Sequence, residues 1–347
     1  MSKYQVEFDQ TDSALLEAAR GGSQPAFQQL VEPFRRELVV HSYRFLGSFT
    51  DAEVVFQETL LRAWQRLASF EERSSFRTWL YKIATTASLN AIDSRNRRAM
   101  PTDLYPKGDP LAPLPQTLRD VRWVEPVPDE LLDQQTAIYT DARYEVHESI
   151  KLAFVAALQL LPGRQRAILL LRDVLGWNVN EIAGFLSMTP VEVNSVLQRA
   201  RVTMQQHWNS SRERQAAKLT DDLKAALLSH YKTAWEAADP NALAAVLRED
   251  VTLTMSPLPV WFGGREDVQA YLGGVVFGSP DGARQKLVPA RANGCPAFAV
   301  YQSDAQGFYH PFALHVLSLN NGQIGEINIF LNLDEGQFSR FGLPVSG

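Results

Sequence analysis

The 347-residue chain contains a single cysteine, Cys295. One thiol excludes an intramolecular disulfide framework and any cysteine-rich zinc site, and it suits a reducing compartment. Long apolar runs are missing as well: no stretch approaches the roughly 20 residues that a membrane helix requires. The opening segment MSKYQVEFDQ lacks the basic-then-apolar pattern of a secretory signal, so a cytoplasmic, non-secreted protein is expected. No nucleophile–base pair and no metal-ligand spacing is visible, so no cofactor, no metal and no catalytic centre are expected. Excess basic charge is absent too, the formal net charge being −5. Taken globally, that figure argues against a nucleic-acid binder, in which a basic footprint is expected.

What is present tells a more divided story. Hydrophobic residues make up 45% and charged residues 21%, an ordinary globular composition, and the length favours two or three domains. The formal charge is +1 over residues 1–100, −5 over 101–147, +3 over 148–214 and −4 over 215–347. The net value therefore averages a basic third segment with two acidic ones.

Residues 11–100 read as helices almost throughout. Phe27, Leu30, Val31 and Phe34 recur at helical spacing after a Gly21-Gly22 break, and Val54, Val55, Leu61 and Trp64 mark an apolar stripe after Asp51. A further apolar helix, Thr78 to Asn90, ends in Arg95, Arg97 and Arg98. Seven prolines then fall between Pro101 and Pro128, a density that forbids a regular helix and marks a linker or a docking segment.

Residues 148–208 return to helices: Ile150 to Leu161, Arg164 to Leu175, Val179 to Leu186 and Pro190 to about His207. The last two are separated by Ser187-Met188-Thr189. Thr189 stands at the N-cap, Pro190 at the first helical position and Glu192 three residues after the cap, which together make a capping box. A short helix, a three-residue turn and a capped longer helix form a helix-turn-helix pattern, equally compatible with a plain αα-hairpin. In such a motif the second helix enters the major groove. Its exposed face carries Val191, Glu192, Asn194, Ser195, Gln198, Arg199 and Arg201, with Arg164, Arg166 and Arg172 available for phosphates. A second basic cluster interleaved with aromatics spans Arg73, Phe76, Arg77, Trp79, Tyr81 and Lys82, a composition suited to unpaired bases, although Trp79 fits a core position better.

From residue 215 the pattern changes to helices (Leu219 to Ala238, Asn241 to Leu247) followed by strands at Val251–Met255, Phe298–Gln302, Phe312–Leu319 and Ile324–Leu331, an α+β arrangement.

The segments DAEVVFQETLLRAW (Asp51–Trp64), SSFRTWLYKIAT (Ser74–Thr85), LPGRQRAILLLRDVLGWNVNEIAGFL (Leu161–Leu186) and VNSVLQRAR (Val193–Arg201) resemble, in order, those of extracytoplasmic-function sigma factors of bacterial RNA polymerase. The remainder resembles a SnoaL-like domain, a cone-shaped relative of nuclear transport factor two, through LREDVTLTMSPLPVWFGGRE (Leu247–Glu266), RANGCPAFAVY (Arg291–Tyr301) and FSRFGLP (Phe338–Pro344). A WVEPVPDELLD linker (Trp123–Asp133) accompanies that fusion.

The resemblance implies a multidomain chain: a helical sigma region 2 over 10–100, an acidic proline-rich linker over 101–147, a sigma region 4 helix-turn-helix over 148–210 and a SnoaL-like α+β cone over 215–345. It implies core RNA polymerase and promoter DNA as partners, with Asp51, Glu53, Gln57 and Glu58 on the polymerase. On DNA it implies Arg77, Lys82, Arg95, Arg97 and Arg98 at the minus-ten element, and the helix-turn-helix face with Arg164 at the minus-thirty-five element. The linker is expected to thread through polymerase. The chain departs from the family at Val54, where a carboxylate is usual, and at Thr86, Asn90 and Asp93 in the promoter-melting segment.

For the cone, the polar groups Tyr301, His315 and Asn328 with walls Trp235 and Trp261 are the candidate ligand pocket. A regulatory cone contacting the sigma domains is favoured over a catalytic one. The alternative is a degenerate sigma-like protein whose working part is a small-molecule sensor or enzyme.

Overall fold

The computed structural model describes residues 10–93, 97–118, 120–131, 148–212, 220–278, 284–333 and 335–344. In chain order its elements are α1 (Gln10–Arg20), α2 (Gln24–Val31), α3 (Arg35–Leu46), α4 (Phe49–Arg66), α5 (Phe76–Asp93), β1 (Arg98–Ala99), α6 (Pro101–Leu104), β2 (Arg122–Trp123), α7 (Leu152–Gln159), α8 (Gly163–Leu169), α9 (Val179–Leu186), α10 (Pro190–Arg212), α11 (Asp221–Glu236), α12 (Pro240–Val246), β3 (Leu247–Ser256), β4 (Trp261–Gly263), α13 (Arg265–Tyr271), β5 (Gln285–Ala292), β6 (Cys295–Ser303), β7 (Tyr309–Asn320), β8 (Gln323–Leu331) and α14 (Glu335–Arg340). They form two compact units, one of residues 1–97, 131–149 and 157–203 and one of residues 98–130, 150–156 and 204–347. The expected linker is thus not an independent piece, since its first 30 residues belong with the C-terminal unit.

In the helical unit α4 and α5 pack on α3, which is buried on every side from Glu37 to Leu46. Leu38, Val40, Tyr43 and Phe45 of α3 meet Ala52, Val55 and Phe56 of α4 and Leu80, Ala84 and Ala87 of α5 in the core. Gly47 ends α3 at φ 64°, a left-handed conformation glycine adopts without strain, and Ser48 opens α4 by accepting from the Asp51 N–H at 3.0 Å. Phe70, Phe76 and Trp79 cluster in edge-to-face and tilted pairs at 5.1–5.5 Å between ring centroids, which assigns Trp79 to packing.

The second unit is built on a six-stranded sheet of order β4-β3-β8-β7-β6-β5, antiparallel except for the β3–β8 pair. One face carries Leu253, Phe298, Val300, Leu317, Ile327 and Ile329 and closes over Tyr231 and Trp235 of α11, a core in which each large apolar side chain contributes about 1.5–3 kcal/mol. The four strands expected from the sequence are present and longer. Not anticipated were β4, three residues long, helix α13, and β5, whose Pro289 is tolerated because β5 is the edge strand.

The segment 98–130 lies on this sheet domain. Trp261 Nε1 donates to the Tyr105 carbonyl at 2.8 Å, the Gly108 N–H donates to the Trp261 carbonyl at 2.9 Å, and Lys107 pairs with Asp267 at 2.6 Å. Gly108 approaches so closely that a Cβ there would sit 2.6 Å from the Val260 side chain. Further along, Val124 and Val127 are fully buried.

Candidate nucleic-acid and polymerase interfaces

The helix-turn-helix is set by two reciprocal caps. Asn178 Oδ1 accepts from the Glu181 N–H at 2.9 Å while the Glu181 carboxylate accepts from the Asn178 N–H at 3.0 Å, and α9 stops at Ser187 with φ 54°. Thr189 Oγ1 accepts from the Glu192 N–H at 3.2 Å, and the Glu192 carboxylate accepts from the Thr189 N–H at 2.7 Å and hydroxyl at 2.9 Å. Those bonds hold the Glu192 carboxyl below its ordinary range. Glu192 is therefore occupied in starting α10.

Along α10, Val193, Leu197 and Ala200 point inward and Val191, Asn194, Ser195, Gln198 and Arg199 are exposed. Arg199 Nη1 reaches Ser195 Oγ at 3.0 Å, laying the guanidinium along the exposed face. Arg164, at the start of α8, is also exposed.

Arg201 leaves this face. Its Nε and Nη2 grip both carboxylate oxygens of Asp173 at 2.8 and 2.5 Å, and Asp173 is 1% exposed, so the pair fastens α10 to the π-helical turn Leu170–Val174. Arg77 is committed likewise: it binds Glu37 of α3 through Nε and Nη2 at 2.5–3.0 Å, with the Tyr81 ring beneath at 4.8 Å. Arg98 donates to the Trp123 carbonyl at 2.6 Å and pairs with Glu125 at 3.0 Å. Arg166 is buried, with Nη1 and Nη2 donating to the carbonyls of Phe45, Gln159 and Leu161 and to Gln159 Oε1. Burial, then the nearby Arg97, lowers its pKa to about 9. Lys82 is half-buried, Arg97 is exposed and Arg95 lies outside the described residues. Helical spacing shows which side of its own helix a residue takes. It does not show which carboxylate or carbonyl a neighbouring helix brings to meet it.

On α4, Asp51, Glu53 and Glu58 are half-buried and Gln57 is exposed. Glu58 accepts from Arg62 at 2.5 Å. Two apolar residues that site reasoning overlooked flank Gln57: Val54 and Leu61, 53% and 56% exposed, at i, i+3 and i+7 spacing with it. The signal was in the sequence, since Val54 is the departure from the family pattern.

The order and spacing of these helices agree with two family models, Sigma-70 region 2 over residues 30–98 and Sigma-70 region 4 over residues 151–204. The ECF RNA polymerase sigma factor SigG of Mycobacterium tuberculosis is 39% identical over 339 residues, which span 95% of this chain and 88% of that one. The chain belongs to the ECF RNA polymerase sigma factors. This sigma factor binds core RNA polymerase and directs promoter-specific transcription initiation. It is also similar to the RNA polymerase sigma-H factor of Pseudomonas aeruginosa, 28% identical over 55% of this chain and 90% of that one. The crystal structure of the Mycobacterium tuberculosis extracytoplasmic function sigma factor SigJ shares its fold, with a TM-score of 0.55 at 19% identity, covering 90% of this chain and 98% of that one.

The C-terminal unit of the sigma factor is an α+β domain, and the five candidate pocket residues are distributed over α11 and four different strands, β4, β6, β7 and β8. His315 and Trp235 meet in the core at 4.4 Å, and His315 Nδ1 shares a hydrogen bond with the Tyr231 hydroxyl at 2.9 Å. Burial lowers the His315 pKa to about 3, keeping the ring neutral, and raises that of Tyr231. Asn328 takes the opposite face, because it pairs in register with Val316 and so alternates with His315, and there it accepts from Thr254 at 2.8 Å. Tyr301 donates to the Pro344 carbonyl at 2.7 Å, and Trp261 holds the linker. Among the described residues no group of three or more His, Cys, Asp or Glu side chains gathers as for a metal ion, and no helix is long and apolar enough to cross a membrane.

Proposed function

We propose that the C-terminal unit of this sigma factor is a regulator that acts without catalysis, in the cytoplasm, by holding the linker of its own chain. One residue carries this reading. Asn293 is fully buried in the β5–β6 turn, where it and Gly294 both take positive φ, the geometry of a type I′ hairpin. Its side-chain oxygen accepts from the Val127 N–H at 3.0 Å, its own N–H donates to the Val127 carbonyl at 2.9 Å, and its Nδ2 donates to the Ile150 carbonyl at 2.7 Å. Asn293 thus ties the linker and the segment entering α7 to the sheet domain. Asp129 adds a second hold, accepting from the Gly294 N–H at 2.7 Å and from Arg291 Nε at 3.0 Å.

A linker held this way is not available to polymerase, so initiation requires its release. The neutral, buried, hydrogen-bonded His315–Tyr231 pair supports a structural role for the polar groups of the cone. DNA reading falls to Asn194, Ser195, Gln198 and Arg199, with Arg164, Arg97 and Lys82 on phosphates. Core polymerase meets the α4 face of Asp51, Glu53, Val54, Gln57, Glu58 and Leu61.

The test is run-off transcription by the full chain with core polymerase, comparing the native protein with Asn293→Ala. Removing the tie should raise initiation several-fold and make residues 101–131 more sensitive to protease. Unaltered output from a folded Asn293→Ala protein would refute the regulatory reading.

A further inference from the structure

In the second unit a pocket of about 290 Å³ opens where the start of α7, helix α11, the β5–β6 hairpin and the strands β7 and β8 meet. Its lining brings together three cationic side chains, Lys151, Lys224 and Arg291, with Ser318, Asn320 and Glu326 on the strands and connections beside them. Cys295 also lines it, and the charges of Lys151, Asp129, Glu326 and Arg291 all act on its thiol, which gathers them around one point. Burial raises that thiol to about 12, so it is not a nucleophile.

Two of the three cations are weakly committed. Lys151 is half-buried and makes no ion pair among the described residues. Among the described residues Lys224 pairs with Asp221 alone, whose side chain is 99% exposed, a pairing of little strength. Arg291 uses Nε on Asp129, and its side chain is otherwise 67% exposed. Glu326, which accepts from Ser318 at 3.1 Å, is the one carboxylate in the lining, so positive charge is in excess.

We propose that this pocket binds a small organic anion, a phosphate monoester or a carboxylate, through Lys151, Lys224 and Arg291, and that its occupancy draws Arg291 away from Asp129. The volume sits at the small end of ligand pockets, which excludes a polymer or a large cofactor. Because Asp129 fixes the end of the linker, an anion that competes for Arg291 loosens that hold, and by linkage a released linker binds the anion more tightly. The coupling rests on the regulatory reading above, whereas the binding does not.

The experiment is titration calorimetry of the full chain at low ionic strength with inorganic phosphate and with citrate, and glycerol as the neutral control. At least one anion should bind with one-to-one stoichiometry and glycerol should not. The Lys151→Ala/Lys224→Ala protein, its fold checked by circular dichroism, should bind at least about tenfold more weakly. The tighter of the two anions assigns the ligand as phosphate or carboxylate. No binding of either anion, or unchanged affinity in the double variant, overturns the site. Run-off transcription then separates the two ideas. Anion binding that leaves initiation unchanged overturns the coupling. A stimulating Asn293→Ala substitution without anion binding removes the pocket and leaves the regulatory reading standing.

Discussion

Helices α5 and α10 carry similar side chains and use them in opposite ways. Both place arginine on an amphipathic helix that leads into basic sequence. On α5, Arg77 turns to a carboxylate 9% exposed on α3 and Trp79 joins an aromatic cluster, so the chemistry that suggested unpaired bases holds the helices together. On α10, Arg199 stays exposed beside Asn194, Ser195 and Gln198, while Arg201, two residues later, turns inward to Asp173. The difference lies in the partner: a buried carboxylate within reach draws an arginine inward, because leaving that carboxylate unpaired is costly.

The largest effects should come from reversing that assignment. Arg77→Ala and Arg201→Ala each leave a mostly buried carboxylate without its guanidinium and should cost roughly 3 kcal/mol of stability in urea denaturation. Promoter affinity per folded molecule should stay within a few-fold of the native value. A stable Arg201→Ala protein that fails to bind promoter would restore Arg201 to the DNA-contacting face.

Acid should weaken both units next. His41, buried against Thr85 Oγ1 at 2.9 Å, and His315 have pKa values lowered to about 3 by burial, in the case of His41 with help from Arg44 and Arg77. Each stays neutral in the folded chain and takes up a proton near pH 6.5 when unfolded, so the unfolded state binds more protons and stability falls as pH drops from about 6.5 towards 3. By pH 5 the loss should reach about 2 kcal/mol per histidine. Denaturation at pH 7 and pH 5 checks this, and a replacement that removes His41 should flatten the profile of the helical unit while leaving that of the sheet unit sloped.

Affinity should respond at the exposed face. Arg199→Ala should weaken promoter binding by about 1–3 kcal/mol with stability nearly unchanged. Equal affinity across a salt titration would remove Arg199 from the interface. A reduced salt slope with sequence preference retained would place it on phosphate rather than on a base edge.

How far the sequence carried the reading follows the same division. Local rules located the helix-turn-helix, since the cap at Thr189 and Glu192 and the inward set Val193, Leu197 and Ala200 depend only on residues within a few positions. The four principal strands were legible from alternation. Legibility ended where the deciding partner is distant: Arg77 meets a residue 40 positions away and Arg166 one 121 away. It ended also where the strand signal is weak, as in β5 with its proline and in the three-residue β4. The role of Asn293 was missed: Asn-Gly is a hairpin signal, but nothing local says that the turn reaches back across 166 residues to Val127. His315 and Asn328, only 13 positions apart, were grouped by polarity although the pleat puts them on opposite faces.

The smallest change in stability comes with a test of α4. Val54 and Leu61 are more than half exposed, so Val54→Ser should alter stability by less than about 0.5 kcal/mol. If the apolar stripe that they form around Gln57 is covered by core polymerase, the same substitution should weaken core binding by about 1 kcal/mol, the loss expected when an apolar group at an interface gives way to a polar one. Val54→Asp, which introduces the carboxylate usual at this position in the family, sharpens the point. A polymerase surface matched to an apolar residue would bind Val54→Asp more weakly still, through the cost of desolvating an unpaired charge, and the defect would persist at high salt. A surface that retains a basic partner for that position would instead bind Val54→Asp more tightly, with the gain disappearing as salt rises. Competition for core polymerase between the native chain and each variant, at low and high salt, decides which chemistry α4 presents to its partner.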